Sequence, residues 1–331
     1  MAQALMEGIP LLFLDVELGR PLLEQDDIFP DESGNGYALR MLGRNGLAFS
    51  DLASVVASPG HRYLPAGASG RIAYLFGSRT GEVLHAIPQV YQERGRLKTS
   101  FMGHVIGRPY HMRHTRPQFC PRCLGEKGRA LALWDISLVT ACPEHGCLLQ
   151  DACQRCDRKL SWRRPALRAC YCDFDLADGM PVVAHRDEVW LSRCIRDALF
   201  RMPGDSERTS YALLQRLSLD CLLRLIRALG MAEASDGSDL QPGRVTRVLT
   251  SVDASGVVRR AMARFRALSG QMDDVKTAVH SIWDLRGLLD DVGEADWTLM
   301  HELLNRIAAI EGISYAHSVR HQQLSLFEGV K

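Results

Sequence analysis

The chain has 331 residues, enough for two or three domains with a sizeable core. Its 40 lysines and arginines nearly balance 39 aspartates and glutamates, which excludes a polyelectrolyte that coats nucleic acid along its whole length. No apolar run is long enough for a helix to cross a membrane, and no membrane partner is expected.

Residues 1–107 read as short helices. Asp31-Glu32-Ser33 precedes an apolar-periodic run through Tyr37, Leu39, Met41 and Leu42, and Asn45-Gly46 breaks it. Ser50 is a good N-cap for a second helix carrying Leu52, Val55 and Val56. Ile72, Tyr74, Leu75 and Phe76 predict a third helix, with a turn at Gly77-Ser78. Thr80 then caps a fourth that carries Val83, Leu84 and Ile87. Short helix pairs joined by a glycine turn fit a helix-turn-helix, although such pairs are more often plain helix packing.

Residues 108–180 carry the chemistry. Cys120, Cys123, Cys142 and His145 form one set of four zinc ligands, and Cys153, Cys156, Cys170 and Cys172 form another. A Cys-x-x-Cys turn aims two thiolates at one point, and a second pair returned by a loop completes a tetrahedron. Four protein ligands leave no open position, so the reading is two structural zinc ions and no hydrolytic one. Free thiols or disulfides are the alternative. Disulfides suit a secreted chain, and no positively charged leader precedes the short apolar run Ile9–Leu14. The expected compartment is therefore the cytoplasm. The second set ends in Cys-x-Cys, one residue tighter than usual, and Cys147 is a nearby substitute for Cys172. Cys194 and Cys221 fall in helical patterns and read as buried apolar residues.

Charge is local to this segment. From Arg108 to Cys170 there are twelve arginines or lysines against five acids, an excess of seven. Arg108, Arg113, Arg116, Arg155, Arg158, Lys159, Arg163, Arg164 and Arg168 are the candidate contacts to nucleic acid or to an acidic partner. A solvated basic face is the plainer alternative.

Residues 181–318 read as a helical array. The clearest helix runs from Ser206 to Leu229, ended by Gly230. A polar hinge over 233–241 follows, then helices at 243–249, 257–268, 275–289 and 296–310. Arg259, Arg260, Arg264 and Arg266 are either phosphate contacts or the wet side of a helix. Residues 319–331 are a tail. There Gln323, Leu324, Leu326 and Phe327 sit in Gln-Leu-Ser-Leu-Phe, which resembles the sliding-clamp-binding peptide of bacterial DNA-processing proteins. Packing of those side chains on the chain's own helices is the alternative. The fold class expected is mainly α with small zinc-bound β/loop modules. It comprises a helix-turn-helix-like domain, tandem zinc fingers and a C-terminal helical array.

One further pattern joins these elements. Phe119-Cys120-Pro121-Arg122-Cys123-Leu124, Trp134, Cys142-Pro143-Glu144-His145-Gly146, Leu148-Leu149 and Cys153-x-x-Cys156 resemble the TniQ family in residue type and order. Pro30-Asp31-Glu32-Ser33 and Arg40-x-x-x-Arg44-Asn45-Gly46 are similar to its N-terminal pattern. Gly36-Tyr37 stands where the family has Ser-Trp, and Cys147 stands where an apolar residue is expected. The resemblance implies a target-selection adaptor of a DNA transposon. Such an adaptor ties recognition of a site on DNA, directly or through a CRISPR Cascade complex with its guide RNA, to an AAA+ regulator of the TnsC/TniB type and so to the transposase. It also implies a homodimer and no catalysis of its own. The residues agree on the last point: no Walker A motif, no supported carboxylate triad and no open metal site are evident. The near-neutral charge favours the adaptor over an autonomous, TnsD-like reader of an attachment site.

Overall fold

The structure is a computed structural model that describes residues 20–56, 62–202, 212–231, 247–268 and 292–311. The chain divides into two compact units: residues up to 206 together with 246–259, and residues 207–245 together with 260–331. The expected border at 107/108 lies inside the first unit, so the N-terminal helices and the cysteine-rich segment form one body.

In the first unit, α1 (Gly34–Arg44) begins at Ser33, whose Oγ accepts from the Gly36 N–H at 3.5 Å. Tyr37, Leu39, Met41 and Leu42 are all buried. Arg40 is buried too and pairs with Glu32 at 2.8 Å and Asp26 at 2.7 Å. Gly46, at φ 66°, reverses the chain, and α2 (Phe49–Val56) follows. Ala48 holds the cap position, and Asp51 in the first turn accepts from its N–H at 2.8 Å. Ser50, expected as the cap, is the second residue of the helix. The third helix, α3 (Ser69–Phe76), ends at Gly77 with φ 81°, where Gly77 and Ser78 both donate to the Ala73 carbonyl. Thr80 is the first residue of α4 (Thr80–Ala86), and Arg79 occupies the cap position.

A three-stranded antiparallel sheet follows where only helices were predicted. Its strands are β1 (Gln89–Glu93), β2 (Arg96–Phe101) and β3 (His104–Ile106). Both turns have two residues at positive φ: Arg94-Gly95 at 49° and 77°, Met102-Gly103 at 48° and 75°. This is the turn that matches strand twist, and its usual sequence signal is Asn-Gly or Asp-Gly. Arginine and methionine in the first position hid it.

The N-terminal segment is stitched to the cysteine-rich part. Ser33 N–H donates to the Ala130 carbonyl at 2.8 Å, Ala132 N–H to Asp31 at 2.8 Å, and Arg129 pairs with Asp31. The approach is close: a Cβ on Gly36 would lie 2.5 Å from the Ala130 Cβ. Ser33 Oγ also donates to Asp135 at 2.6 Å, deep in the core. Burial pushes the Asp135 carboxyl up to about 7. The unfolded carboxyl titrates near 4, so between pH 8 and 6 only the folded state takes up this proton. Stability therefore falls as pH rises through that window, by about 1.4 kcal/mol from this group. We expect the difference in urea stability between wild type and Asp135→Asn to change by that amount across the window; a constant difference would refute it.

Downstream, α5 (Pro121–Lys127) is capped by Cys120 and ended by Gly128. The helix α6 (Arg186–Phe200) starts with a reciprocal cap. Asp187 N–H donates to His185 Nδ1 at 3.3 Å, and His185 N–H donates to Glu188 at 3.2 Å. Predicted as part of the C-terminal array, α6 packs in the first unit instead. Ser192 Oγ accepts from the Ala141 N–H at 3.3 Å, and Arg193 donates to the Pro143 carbonyl.

In the second unit the expected long helix over 206–229 is broken. A short α7 (Ala212–Arg216) precedes α8 (Leu219–Met231). Ser218 makes the break: its Oγ accepts from Cys221 N–H at 3.3 Å, and its own N–H donates to Asp296 at 2.8 Å. Cys221 is buried, as expected, and so is Cys194 in α6 of the first unit. Residues 248–250 are not helical, unlike the prediction for 243–249. The next helix, α9 (Ser251–Leu268), starts six residues before the predicted 257, and Ser251–Arg259 count with the first unit. Arg260 and Arg264 donate to the Gly230 and Leu229 carbonyls at the end of α8, as cations near a helix C-terminus do. The last described helix is α10 (Glu294–Glu311). The predicted hinge at 233–241, the helix at 275–289 and the tail lie outside the described residues. No helix among the described residues is long and apolar enough to cross a membrane.

Candidate metal centre

Two sets of donors converge, each within 4.8 Å: Cys120, Cys123, Cys142 and His145, and Cys153, Cys156, Cys170 and Cys172. In the first set, the Cys123 and Cys142 sulfurs are 3.5 Å apart. His145 Nδ1 lies 3.1 Å from Cys123 and 3.5 Å from both Cys120 and Cys142. In the second, Cys153–Cys172 and Cys156–Cys170 are 3.8 and 3.6 Å apart. A tetrahedral zinc with bonds near 2.3 Å places its sulfurs about 3.8 Å apart, so both sets fit that ion and could hold it. Cys172, and not Cys147, completes the second set.

Local sequence explains the convergence. Pro121 starts α5 directly after Cys120, and the Cys123 N–H donates to the Cys120 sulfur at 3.5 Å. The His145 N–H donates likewise to Cys142 at 3.4 Å. Each ligand pair after the first is followed at once by a residue at positive φ: Gly146 at 61°, Asp157 at 53° and Asp173 at 60°. Those residues turn the chain sharply: Gly146 N–H bonds the Cys142 carbonyl, Asp157 N–H bonds Cys153, and Asp173 N–H bonds Cys170. His145 Nε2 donates to Glu126 at 3.1 Å, which fixes the ring with Nδ1 toward the thiols. Glu126 went unnoticed in the sequence because nothing in the spacing marks an outer partner.

The electrostatics also suit a cation. Hydrogen bonds from the Cys123 and Cys142 thiols push the Cys120 thiol down to about 7, while crowding by Cys120 and Cys142 drives the Cys123 thiol strongly upward. Thiolates held this close together repel one another. A divalent ion removes that conflict.

The two sets differ in depth. Cys120, Cys123 and Cys142 are fully buried, whereas Cys156 is exposed and Cys172 half-buried. Between them, Arg113 is buried and donates to Asp151 at 2.9 Å, to the Leu249 carbonyl at 3.0 Å and to Arg116 at 2.8 Å. Asp151 also accepts from the Ser251 N–H at 3.0 Å. Ser255 Oγ donates to Glu188 at 2.6 Å, so the first turns of α9 are tied into the metal-binding part of the same unit.

This geometry corrects part of the basic set. Arg113 spends its donors inside the protein. Arg164 is buried as well and donates to the Leu167 and Ser161 carbonyls; burial pushes it down to about 10. Neither side chain is available to a partner. Arg116, Arg155, Arg158, Lys159, Arg163 and Arg168 are on the surface, and Arg108 is half-buried. The Arg158 guanidinium lies 4.9 Å from the Tyr171 ring centroid, Lys159 reaches Asp151 at 3.3 Å, and Arg168 pairs with Asp175. The remaining basic surface thus gathers around the second cluster.

A helical N-terminal region is thus locked to a part whose two four-donor clusters could each hold a metal ion. Residues 25–149 match the TniQ family model, so this span of the chain is a TniQ domain. The match takes in α1 to α5, the sheet and the first cluster, and it stops before Cys153. The domain marks a transposition-associated protein. No curated protein matches the chain.

Proposed function

We propose that this chain selects the target of a DNA transposon without catalysing strand transfer. As an adaptor it ties a recognition complex on DNA, such as Cascade with its guide RNA, to an AAA+ regulator of the TnsC/TniB type and so to the transposase. The observation that carries this reading is the TniQ domain containing a metal cluster whose four positions are all protein donors. Such a cluster stiffens a surface and leaves no place for a substrate. A homodimer acting at the bacterial nucleoid belongs to the same proposal, and so does clamp binding by the tail.

A second reading is direct recognition of a DNA site. The cations around the second cluster favour it: Arg155, Arg158, Lys159, Arg163 and Arg168, with Arg108 and Arg116 just ahead of the first cluster in sequence. Co-purification of the zinc-loaded full chain with a candidate effector, set beside binding of short duplexes by the chain alone, decides between them. The adaptor predicts a stable effector complex and only weak, sequence-indifferent duplex binding. Tight, sequence-selective duplex binding by the chain alone, falling steeply with salt and weakened by Arg158→Glu with Arg163→Glu, would replace the adaptor with the reader.

A further inference from the structure

A fifth thiol stands beside the first cluster. Cys147 Sγ lies 3.4 Å from Cys120 Sγ, as near to it as His145 Nδ1 at 3.5 Å. Cys147 is buried. It is not one of the four donors that lie mutually within 4.8 Å, so it cannot complete the tetrahedron as the site stands. Its place is set by backbone on both sides: the Cys142 N–H donates to the Cys147 carbonyl at 2.7 Å, and Cys147 bridges to Val183. A thiol held against one ligand's sulfur and outside the coordination set is placed to form a disulfide with it when an oxidant is supplied.

We propose that Cys120 and Cys147 form a peroxide-sensitive pair whose disulfide withdraws Cys120 from the first cluster and releases its ion. The inference rests on that cluster holding a metal. The oxidant is a hydroperoxide, the simplest being hydrogen peroxide. The Cys120 sulfur attacks one peroxide oxygen; an S–O bond forms, the O–O bond breaks, and hydroxide leaves to become water on protonation. Cys147 sulfur then attacks the sulfenic sulfur of Cys120. The S–S bond forms, the S–O bond breaks, and the second hydroxide leaves as water with the Cys147 proton. Two thiols lose two electrons and the peroxide gains them. The sulfurs need to close from 3.4 Å to about 2.05 Å, a side-chain adjustment. Three donors then remain. His145 stays tied to Glu126, and the α5 end of the cluster loses its anchor at the helix cap.

The test uses the zinc-loaded full-length protein and hydrogen peroxide, with zinc release followed by a chromogenic chelator. Disulfides are mapped after trypsin and glutamate-specific cleavage. Arg122 separates Cys120 from Cys123, Glu144 separates Cys142 from Cys147, and fragmentation of the 145–155 peptide tells Cys147 from Cys153, so the linked pair is read. We expect one of two zinc ions to leave together with a Cys120–Cys147 linkage. Cys147→Ser and Cys147→Ala are expected to bind two zinc ions before oxidation and to release the first-cluster ion at least fivefold more slowly. A linkage of Cys120 to Cys123 or Cys142 in the wild type, or release from the Cys147 variants at the wild-type rate, would overturn the proposal. Zinc content before peroxide is added separates this outcome from a first cluster that holds no metal at all.

Discussion

Stripping zinc from the loaded protein will unfold its first unit. Structural zinc contributes roughly 10–16 kcal/mol in small finger peptides, as much as or more than the 5–15 kcal/mol that holds a whole domain together. Here the sulfurs of Cys120, Cys123 and Cys142 are fully buried, where paired thiolates need a cation. We expect a strong chelator to act in two phases, first at the surface cluster with its exposed Cys156 and then at the buried one. The second phase should abolish near-ultraviolet dichroism and open the first unit to protease. Cys123→Ser and Cys156→Ser should each bind one ion instead of two, with Cys123→Ser much the less stable. A metal-free chain with an unchanged melting transition, or either variant with two ions bound, would contradict the ligand assignment.

Asp151→Ala should be nearly as damaging, by about 3–5 kcal/mol, because it leaves the buried Arg113 guanidinium without its counter-ion. Burial raises the Asp151 carboxyl, but the Ser251 N–H, Arg113 and Lys159 outweigh it, and the net position lies below the usual carboxylate range. A carboxyl lowered in this way adds stability above its unfolded pKa and withdraws it as pH falls through the folded one. Acid should therefore weaken wild type below about pH 4 through this group, with Asp151→Ala lacking that component. The replacement pair Arg113→Met with Asp151→Leu should recover most of the loss, since both charges go together. Chemical denaturation of the zinc-loaded forms measures all three. A loss below 1 kcal/mol in Asp151→Ala would show that Arg113 finds water or another partner.

Much of the metal-binding region was legible, for a physical reason. Ligand spacing is a local code: two residues between thiols and a turn after them suffice to aim four donors, and each step lies within a few residues of the next. The helices α1, α3 and α4 were legible through apolar periodicity and glycine stops. What escaped were decisions made across the chain. The sheet was hidden because Arg94 and Met102 took positive-φ turn positions that asparagine or aspartate usually marks. The break at Ser218 is invisible in the unbroken apolar stripe and is stabilised by Asp296, seventy-eight residues away. Arg113 and Arg164 read as surface charge because an arginine's burial depends on carbonyls at Leu249 and Leu167 that composition does not reveal. Cys147 read as a spare for the wrong cluster, since sequence distance to Cys153 is short while its sulfur faces Cys120.

The bonds from Leu249, Ser251 and Ser255 into the first unit bear on how the molecule is made. Asp151 waits one hundred residues for the Ser251 N–H that it accepts. During synthesis at roughly 5–20 residues per second, that gap spans several seconds in which the cysteines have emerged but the brace has not. The ion would meet a half-finished host, and a gene fragment cut after residue 202 would encode the same permanent half-finished state. A minimal expressible version of the TniQ region in this chain should therefore carry the segment through Arg259, either in its natural place or grafted on by a short linker.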